Sequence, residues 1–115
     1  MSPAHEAVDE YHAHVYFDEA TVETARALRG AIEREFSAAR LGNFNERPRG
    51  PHLRWSFEVA FGPDAFGTIV PWLAHHRGEL AVLVHPDTED EVTDHTAHAI
   101  WMGEILDLDL GALRP

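Results

Sequence analysis

The sequence predicts one α+β domain with a ferredoxin-like order of elements, β-α-β-β-α-β, and an antiparallel sheet. Two observations predict this fold. Apolar and polar residues alternate over Tyr11–Asp18 and Leu53–Phe61, which is the period of strands with one buried face. Between these stretches, apolar residues recur at helical spacing over Thr21–Ala38, which indicates an amphipathic helix. Such a fold packs both helices on one face of the sheet, and we expect dimerisation to cover the open face.

Local signals define the shorter elements around these segments. Asp18 or Thr21 is expected to cap the first helix. A weak short strand is predicted at Leu41–Phe44, before a polar loop rich in proline and glycine. The stretch ELAVLVHP, Glu79–Pro86, is predicted to be a strand that its proline ends.

The second helix and the tail are less regular. The stretch GPDAFGTIVPWLAHHRG is predicted to be a helix capped by Thr68, because Pro71 then falls in the first turn, where a missing N–H is tolerated. Gly78 is expected to end this helix. The tail EILDLDLGAL alternates leucine with aspartate and is predicted to form a short edge strand.

The composition is that of an ordinary soluble globular protein, with 44% hydrophobic and 25% charged residues among 115. We expect residues 1–10 to form a flexible leader and 11–115 to form a single domain. Nine basic against 20 acidic residues give a net charge of −11, which argues against binding to nucleic acid or to an anionic membrane surface. The apolar runs are too short to span a bilayer and no secretory segment is recognisable, so a cytoplasmic location is expected.

Histidine is the unusual residue of this composition. Nine histidines accompany no cysteine, so any metal site must use imidazole and carboxylate ligands. Because successive side chains of a strand point to opposite faces, the residues opposite the apolar sets share the open face of the sheet. That face is predicted to carry His12, His14, His52, Arg54, Glu58 and His85. Strand parity does not decide the ligand set, because His52 begins its strand at the far end of the sheet from His12 and His85.

Each residue of this set also has an ordinary structural interpretation. A single histidine on a half-exposed strand is usually a surface residue, and Glu58 alone is most often solvated. His75 and His76 are typical of favourable charges at a helix C-terminus. The acidic run DTEDEVTD is predicted to be a solvated loop with helix-capping residues; it is not a calcium-binding loop, because it lacks the glycine and the terminal glutamate at the right spacing. The clustering on one face, rather than any one residue, therefore indicates a site.

Four separated blocks of the sequence resemble the DOPA 4,5-dioxygenase family, the small fungal and bacterial type of enzyme that opens aromatic rings. The blocks are HAHVYFD, RPRGPH, FGTIVPWL and LVHPDTEDEVTDHTAHAIWMGE, and the resemblance runs from Tyr11 to Leu110. One departure is visible, since Leu53 follows GPH where the family often has proline. The resemblance implies a ferredoxin-like fold and extradiol cleavage of a catechol such as DOPA with O₂.

The resemblance also implies a non-haem Fe²⁺ cofactor, in whose place another divalent metal such as Zn²⁺ can stand in a purified protein. His14, His52 and His85 match best as its ligands. Ferrous sites that use O₂ often combine two histidines with one carboxylate, and Glu58 is then the possible carboxylate. A site of three histidines is equally compatible with the sequence.

Further roles are carried over from the resemblance to residues beside the ligands. His12 or His95 is assigned the transfer of protons, as a histidine whose pKa lies near the working pH. Arg54 is assigned a substrate carboxylate, with Glu58 and His98 as residues that support the site or the substrate. The segment TDHTAHAIWMG is expected to fold back over the edge of the site, with His95 nearer the chemistry than His98.

Two other functions remain open at this point. The chain could be a non-catalytic dimeric ferredoxin-like module that binds a small molecule or a metal, with the histidines as ligands or as pH-sensitive interface residues. It could also be a structural domain whose histidines cluster by coincidence. Metal content of the purified protein, followed by a measurement of O₂ uptake, separates these possibilities from the enzyme.

Overall fold

The structure is a computed structural model that describes residues 8–113. Its elements, in chain order, are β1 (Tyr11–Phe17), α1 (Val22–Glu35), β2 (Arg40–Asn45), β3 (Trp55–Phe61), α2 (Pro63–His76), β4 (Val82–Pro86), α3 (Glu91–Asp94), β5 (Ile100–Met102) and a 3₁₀ helix (Leu110–Leu113). The strands form one antiparallel sheet in the order β2-β3-β1-β4-β5. Helix α1 connects β1 and β2, which flank β3, and α2 connects β3 and β4, which flank β1. This is the split β-α-β arrangement of the ferredoxin-like fold, and it confirms the predicted α+β class.

One face of the sheet carries the main hydrophobic core. Apolar side chains of β1, β3 and β4 pack there against both long helices, as the alternation in the sequence predicts. The fully buried members from the strands are Ala13, Val15, Phe57, Val59, Val82 and Val84, and those from the helices are Ala25, Ile32, Ile69 and Leu73. The parity of the three long strands is therefore confirmed, which places the polar positions between them on the opposite face.

That opposite face carries a smaller apolar cluster at one end. Tyr16, Ala81 and Leu83 are buried there, and the C-terminal part of the chain packs on them through Ala99, Trp101, Leu106 and Leu108. The face that we expected a partner subunit to cover is thus partly covered by the chain itself. The dimer stays a prediction.

A tight turn brings His52 onto this face. The backbone N–H and C=O groups of Arg49 and His52 bond reciprocally, at 3.1 and 2.9 Å. Gly50 occupies the turn with φ +54°, a left-handed conformation that glycine adopts without steric cost. The turn is held down by the Asp109 N–H, which donates to the carbonyl of Pro51 at 2.8 Å. The loop before β3 therefore folds back along the sheet, which removes the expected separation between His52 and the other histidines.

The start of α2 differs from the prediction. The helix begins at Pro63 rather than after Thr68, because Gly62 has extended backbone before it and a proline suits the first helical position. Pro71 consequently lies inside the helix, which was not expected. Because proline has no N–H, the carbonyl of Gly67, four residues earlier, has no helical hydrogen-bond donor. Both residues are exposed, so water can bond to that carbonyl.

One prediction for the C-terminal third was wrong and another was correct only in part. The edge strand is Ile100–Met102 rather than the tail, because these residues occupy the free edge of β4. Gly103 follows with φ +82°, a left-handed conformation that ends the pairing before the tail begins. In the tail, Leu108 makes a single bridge to His52. The acidic run contains a helix-capping residue, as expected, since Asp90 caps α3 by accepting from the Thr93 N–H, but Asp94 in the same run is buried rather than solvated.

Several expectations concern residues at the ends of the chain. Residues 1–7, with His5, and residues 114–115 lie outside the described part. At the end of the expected leader, Glu10 is half-buried and its carbonyl accepts from the Asp87 N–H at 2.9 Å. Within residues 8–113, no helix is both long enough and apolar enough to cross a membrane.

Candidate metal centre

Four buried imidazoles meet on the face opposite the main core. We call His14, His52, His85 and His95 the histidine cluster; their side chains belong to residues only 2–8% exposed. The ring centroids of His14 and His52 lie 4.1 Å apart, those of His14 and His85 5.0 Å, and those of His85 and His95 4.0 Å. So many buried polar rings in one place need either mutual hydrogen bonds or a shared ligand.

Each member of the cluster is positioned by a different element. His14 lies in the middle of β1, paired with Glu58 on β3 and with Leu83 on β4. His85 lies two residues further along β4, so it is the diagonal neighbour of His14 on the same face. His52 comes from the turn before β3, and His95 follows α3.

Backbone carbonyls orient two of the rings. His85 Nδ1 donates to the carbonyl of Pro86 and His95 Nδ1 donates to the carbonyl of Glu91, each at 2.7 Å. A carbonyl oxygen can only accept, so the proton of each neutral ring lies on Nδ1 and the lone pair lies on Nε2. Metal-binding histidines are commonly oriented in this way by a backbone carbonyl.

His14 and His85 make the closest approach within the cluster. Their Nε2 atoms lie 2.9 Å apart. Two nitrogens that share a metal at about 2.1 Å, at right angles to each other, are separated by about 3.0 Å. The spacing therefore suits two neighbouring ligands of one ion, in addition to a hydrogen bond between the rings.

His52 has a different partner. Its Nδ1 lies 2.7 Å from the hydroxyl of Tyr16, which follows His14 on the same face of β1. Tyr16 is 2% exposed and stacks on Trp101 at a centroid distance of 5.9 Å. Tyr16 was not among the residues that the sequence analysis assigned to the site.

The electrostatics of the cluster favour neutral imidazoles. Burial, reinforced by the neighbouring histidines, lowers the pKa of His14 well below its usual range. Burial also lowers the pKa of His52 to about 4 and that of His85 to about 4. Neutral imidazole is the form that binds a metal, so these three rings can do so at neutral pH without releasing a proton.

His12 lies at the rim, surrounded by carboxylates. Its Nε2 is 2.7 Å from Glu10 and 3.7 Å from Asp87, and its Nδ1 is 3.6 Å from Glu58. The ring centroid of His12 is 5.3 Å from that of His85, its direct partner across the β1–β4 ladder. Glu58 reaches toward the cluster as well, with Oε1 3.9 Å from His14 Nε2.

Asp94 lines the same pocket as His85 and His95 and was missed by the sequence analysis. It is 1% exposed and accepts hydrogen bonds from the N–H and the hydroxyl of Thr88, both at 2.7 Å. These bonds close the segment around α3, whose C-terminal cap is His95. The start of this helix could have been recognised in the sequence, because Asp90 is a typical capping residue that bonds to the N–H of Thr93, three residues later.

A polar cleft opens beside the cluster. It has a volume of about 390 Å³, and His14, His52 and Glu58 form its inner wall. Its outer wall is formed by Gly42, Asn43, Asn45, Arg49 and Gly50. Arg49 had no predicted role, because its place beside the site depends on the turn that it forms with His52.

The structure does not bring all predicted residues together. His12, His14, His52, His85, His95 and Glu58 converge, as described above. Arg54 instead lies 3.9 Å from Glu104 and lines a separate pocket with Leu53. His98 is exposed, so His95 is the nearer of that pair to the site, as expected. His76, on α2, bonds to its own helix through the carbonyl of Trp72.

The donor set fits a metal ion. One ring nitrogen each from His14, His52 and His95 lies within 4.8 Å of the other two, and the same is true of His12, His14 and His85. Imidazole nitrogens with carboxylates at the rim suit iron, zinc or another divalent transition metal. Fold and site together define an α+β protein with a buried histidine centre able to hold such an ion.

Comparison with known proteins agrees with this description. The model of the Dopa 4,5-dioxygenase family matches residues 11–112, and the chain belongs to that family. A crystal structure of a candidate dioxygenase from Nostoc punctiforme has the same fold, with a TM-score of 0.89 and 40% sequence identity. The superposition covers 92% of this chain and 91% of that one.

Two fungal proteins are also similar in sequence. The DOPA 4,5-dioxygenase of Amanita muscaria is 34% identical over 114 residues, which cover 92% of this chain and 50% of that protein. An uncharacterized 21.2 kDa protein of Botryotinia fuckeliana is 44% identical over 115 residues, covering 90% of this chain and 63% of that protein. The chain therefore spans between half and two thirds of the length of these relatives.

Proposed function

We propose that this chain carries a metal-dependent dioxygenase activity that opens the ring of a catechol, such as DOPA, by extradiol cleavage with O₂. The observation that carries the proposal is the 2.9 Å approach of His14 Nε2 to His85 Nε2 within a buried cluster of four imidazoles. Membership of the Dopa 4,5-dioxygenase family supports the choice of reaction.

His14 and His85, together with His52 or His95, would hold the ion, which we propose to be Fe²⁺. Bound there, iron would supply open coordination positions for the two catechol oxygens and for O₂. Glu58 is the available carboxylate if the site uses one, since its Oε1 lies 3.9 Å from His14 Nε2.

The chain itself would bind and orient the substrate. The cleft of about 390 Å³ ends on His14 and His52, which leaves room for one aromatic ring beside the imidazoles. Orientation of the ring is a large part of any reaction between two bound reactants. Arg49 lines the outer wall of the same cleft, whereas Arg54 faces another pocket, so Arg49 is the better placed guanidinium for a substrate carboxylate.

Proton transfer would be carried out by His12. Its two ring nitrogens face Glu10 and Glu58, and Glu10 lies within 2.7 Å. A half-buried imidazole between carboxylates and the cluster can pass a proton between the cleft and solvent. His95 was the alternative for this role, but its Nδ1–H is engaged by the carbonyl of Glu91.

The test is O₂ consumption by the reconstituted protein. The purified protein is loaded anaerobically with Fe²⁺ and then mixed with DOPA or another catechol in an O₂ electrode. We expect catechol-dependent uptake of O₂ and a yellow ring-opened product. The His75→Ala variant, altered at an exposed position of α2, should behave like the wild type.

Other outcomes separate the alternatives. Protein that binds one metal ion and consumes no O₂ across a panel of catechols would be a binding module rather than an oxygenase. Protein that binds no metal would be a structural domain, and the proposal would then be wrong.

We further propose that the chain forms a homodimer. Support comes from three large apolar side chains that are exposed in the single chain, Leu53, Ile100 and Ile105, the last to 77%. Light scattering during size-exclusion chromatography measures the mass directly, and a monomer at micromolar concentration would contradict this proposal.

A further inference from the structure

We propose that Arg29 is a positioning residue of the cleft. It clamps a β-bulge in β2, and the bulge, through Asn45, holds the guanidinium of Arg49 where a carboxylate on the side chain of the substrate binds. The inference rests on the proposed function, in which Arg49 meets that carboxylate, and deepens it by assigning the residues that hold Arg49 in place.

Strand β2 carries one more residue than the segment of β3 with which it pairs. The register shifts between Leu41 and Phe44, so that Gly42 and Asn43 both lie opposite Glu58. Two residues against one define a β-bulge, a feature that often lies beside active sites, where it redirects side chains. The bulge therefore lies directly across the ladder from Glu58, on the inner wall of the cleft.

The bulge changes which side chains of β2 face the cleft. Leu41 packs against the main core, so strict alternation would place Phe44 on the cleft face and Asn45 on the core face. With the extra residue, Phe44 is returned to the core, where its ring stacks on that of Phe17 at a centroid distance of 4.4 Å. Asn45 consequently lines the cleft.

Arg29, on helix α1, holds the bulge. Its Nη2 donates to the carbonyl of Gly42 at 2.8 Å. Its Nε is buried and has no partner among residues 8–113. Burial of a guanidinium is costly and calls for an explanation, and the bond to the bulge supplies one. Arg29 is thus placed to fix the backbone of β2 at the point where alternation is broken.

The side-chain amide of Asn45 links the bulge to Arg49. Its Nδ2 donates to the carbonyl of Asn43 at 3.4 Å, and its Oδ1 accepts from Nη1 of Arg49 at 3.3 Å. A guanidinium only donates and a carbonyl only accepts, so the two neighbours fix the orientation of the amide. The position of the Arg49 guanidinium therefore depends on the backbone that Arg29 clamps.

Arg49 differs from other arginines of this acidic chain in its partners. Arg26, Arg40 and Arg54 each pair with a glutamate, whereas no carboxylate within residues 8–113 forms an ion pair with Arg49. Its guanidinium lines the cleft beside the imidazoles instead. A guanidinium matches a carboxylate with two parallel N–H groups, so a bound carboxylate would complete its contacts.

The test compares two catechols that differ only in charge, dihydrocaffeate and its uncharged amide. Their binding to the Co²⁺-loaded protein is measured by calorimetry without O₂. We expect the wild type to bind the acid at least about 10-fold more tightly than the amide, and Arg29→Met to reduce this preference to less than about 3-fold. Co²⁺ affinity should stay within about 3-fold of wild type, because Arg29 acts on β2 and not on the imidazoles.

Arg34→Met is the matched control, since Arg34 is an exposed arginine of the same helix. It should keep the full preference for the acid. Arg29→Lys, which retains a donor for the Gly42 carbonyl, should restore most of the preference that Arg29→Met loses. Equal binding of acid and amide by the wild type, or an unchanged preference in Arg29→Met, would overturn the proposal.

A double substitution tests whether Arg29 acts through Arg49. Arg49→Gln alone should abolish the preference, and the addition of Arg29→Met should then lower it no further. Independent, additive losses contradict the proposed link. Asn45→Ala breaks the same link without altering α1, so it decides the question if Arg29→Met does not fold.

Failure of this inference is distinguishable from failure of the proposed activity. If the preference for the acid depends on Arg29 but the Fe²⁺-loaded protein consumes no O₂, only the activity is wrong. If catechols are consumed and Arg29→Met keeps the full preference, only the role of Arg29 is wrong. In an active enzyme, Arg29→Met should raise KM for the acid more than for the amide, a division that loss of folding does not produce.

Discussion

The Nε2 atoms of His14 and His85 lie 2.9 Å apart although 71 residues separate them in the chain. The contact is a direct result of the β1–β4 register, which pairs His12 with His85 and His14 with Leu83. His14 and His85 are therefore diagonal neighbours on one face, and long side chains in that relation reach each other. The centre of the site is built on the two central strands of the sheet.

Removal of His85 is expected to abolish metal binding. The His85→Ala variant loses an imidazole whose Nε2 points to His14, so affinity for Fe²⁺, Zn²⁺ or Co²⁺ should fall by at least about 100-fold. Metal content after dialysis, together with calorimetric titration, measures this loss. His75→Ala is the matched control, since that imidazole is exposed. An affinity for His85→Ala equal to that of the control would remove His85 from the ligand set.

The stability of the metal-free protein should depend on pH because of the buried imidazoles. Burial lowers the pKa of His52 and of His85 from 6.5 to about 4. Between these values the unfolded state binds more protons than the folded state, so the free energy of unfolding rises with pH. The contribution is complete above pH 6.5 and is lost as the pH falls toward 4.

The expected slope is about 1–3 kcal/mol per pH unit in that interval, since one group contributes at most about 1.4 kcal/mol per unit. Urea unfolding of metal-free protein between pH 5 and 7.5 measures it. His52→Gln should flatten the slope, whereas His75→Gln should leave it unchanged. A flat profile for the wild type would show that these imidazoles are not shifted.

Asp94 is expected to stabilise both the fold and the position of His95. In Asp94→Ala the N–H and the hydroxyl of Thr88 lose their acceptor, so we expect a loss of about 1–3 kcal/mol in the free energy of unfolding. Metal affinity should fall by about 10–100-fold, because α3 no longer holds His95 in place. Denaturant unfolding and Co²⁺ titration measure the two effects.

The matched control for that change is Asp90→Asn. Asp90 is an exposed cap of the same helix, and asparagine caps a helix about as well as aspartate. We expect a change in stability of less than about 0.5 kcal/mol. Equal effects of the two substitutions would contradict a special role for the buried Asp94.

Alanine should have opposite effects at two exposed glycines. Gly50 has φ +54° with nothing near the position of an added Cβ, so Gly50→Ala should cost about 1–2 kcal/mol through backbone strain alone. Gly67 lies in α2 with the same free space and no positive φ, so Gly67→Ala should stabilise by about 1 kcal/mol. Thermal unfolding compares the two variants.

The turn at Gly50 also positions His52, which gives a second readout. Gly50→Ala should weaken substrate binding in the cleft, because Arg49 and His52 are the hydrogen-bonded residues on either side of the turn. Gly67→Ala should leave it unchanged. Stabilisation by Gly50→Ala would mean that the turn is not strained by a side chain at this position.

The sequence predicted most of the sheet and most of the histidine cluster, for a local reason. Alternation along β1, β3 and β4 tells which side chains share a face, and that property does not depend on the rest of the chain. The errors arose where a second local signal was present, or where tertiary packing determined which segment forms the strand. Pro63 is a suitable first residue for α2 and lies earlier than Thr68. The edge of β4 is occupied by Ile100–Met102, which precede the alternating tail in the chain.

The sequence by itself determined that His12, His14 and His85 share the face opposite the hydrophobic core, and its motifs indicated the family. Only the tertiary structure decided which residues from the loops complete the site. The bond from the Asp109 N–H to the Pro51 carbonyl and the hydrogen bond between Tyr16 and His52 join segments far apart in the chain. Such contacts depend on the path of loops and the register of strands, which no local pattern encodes.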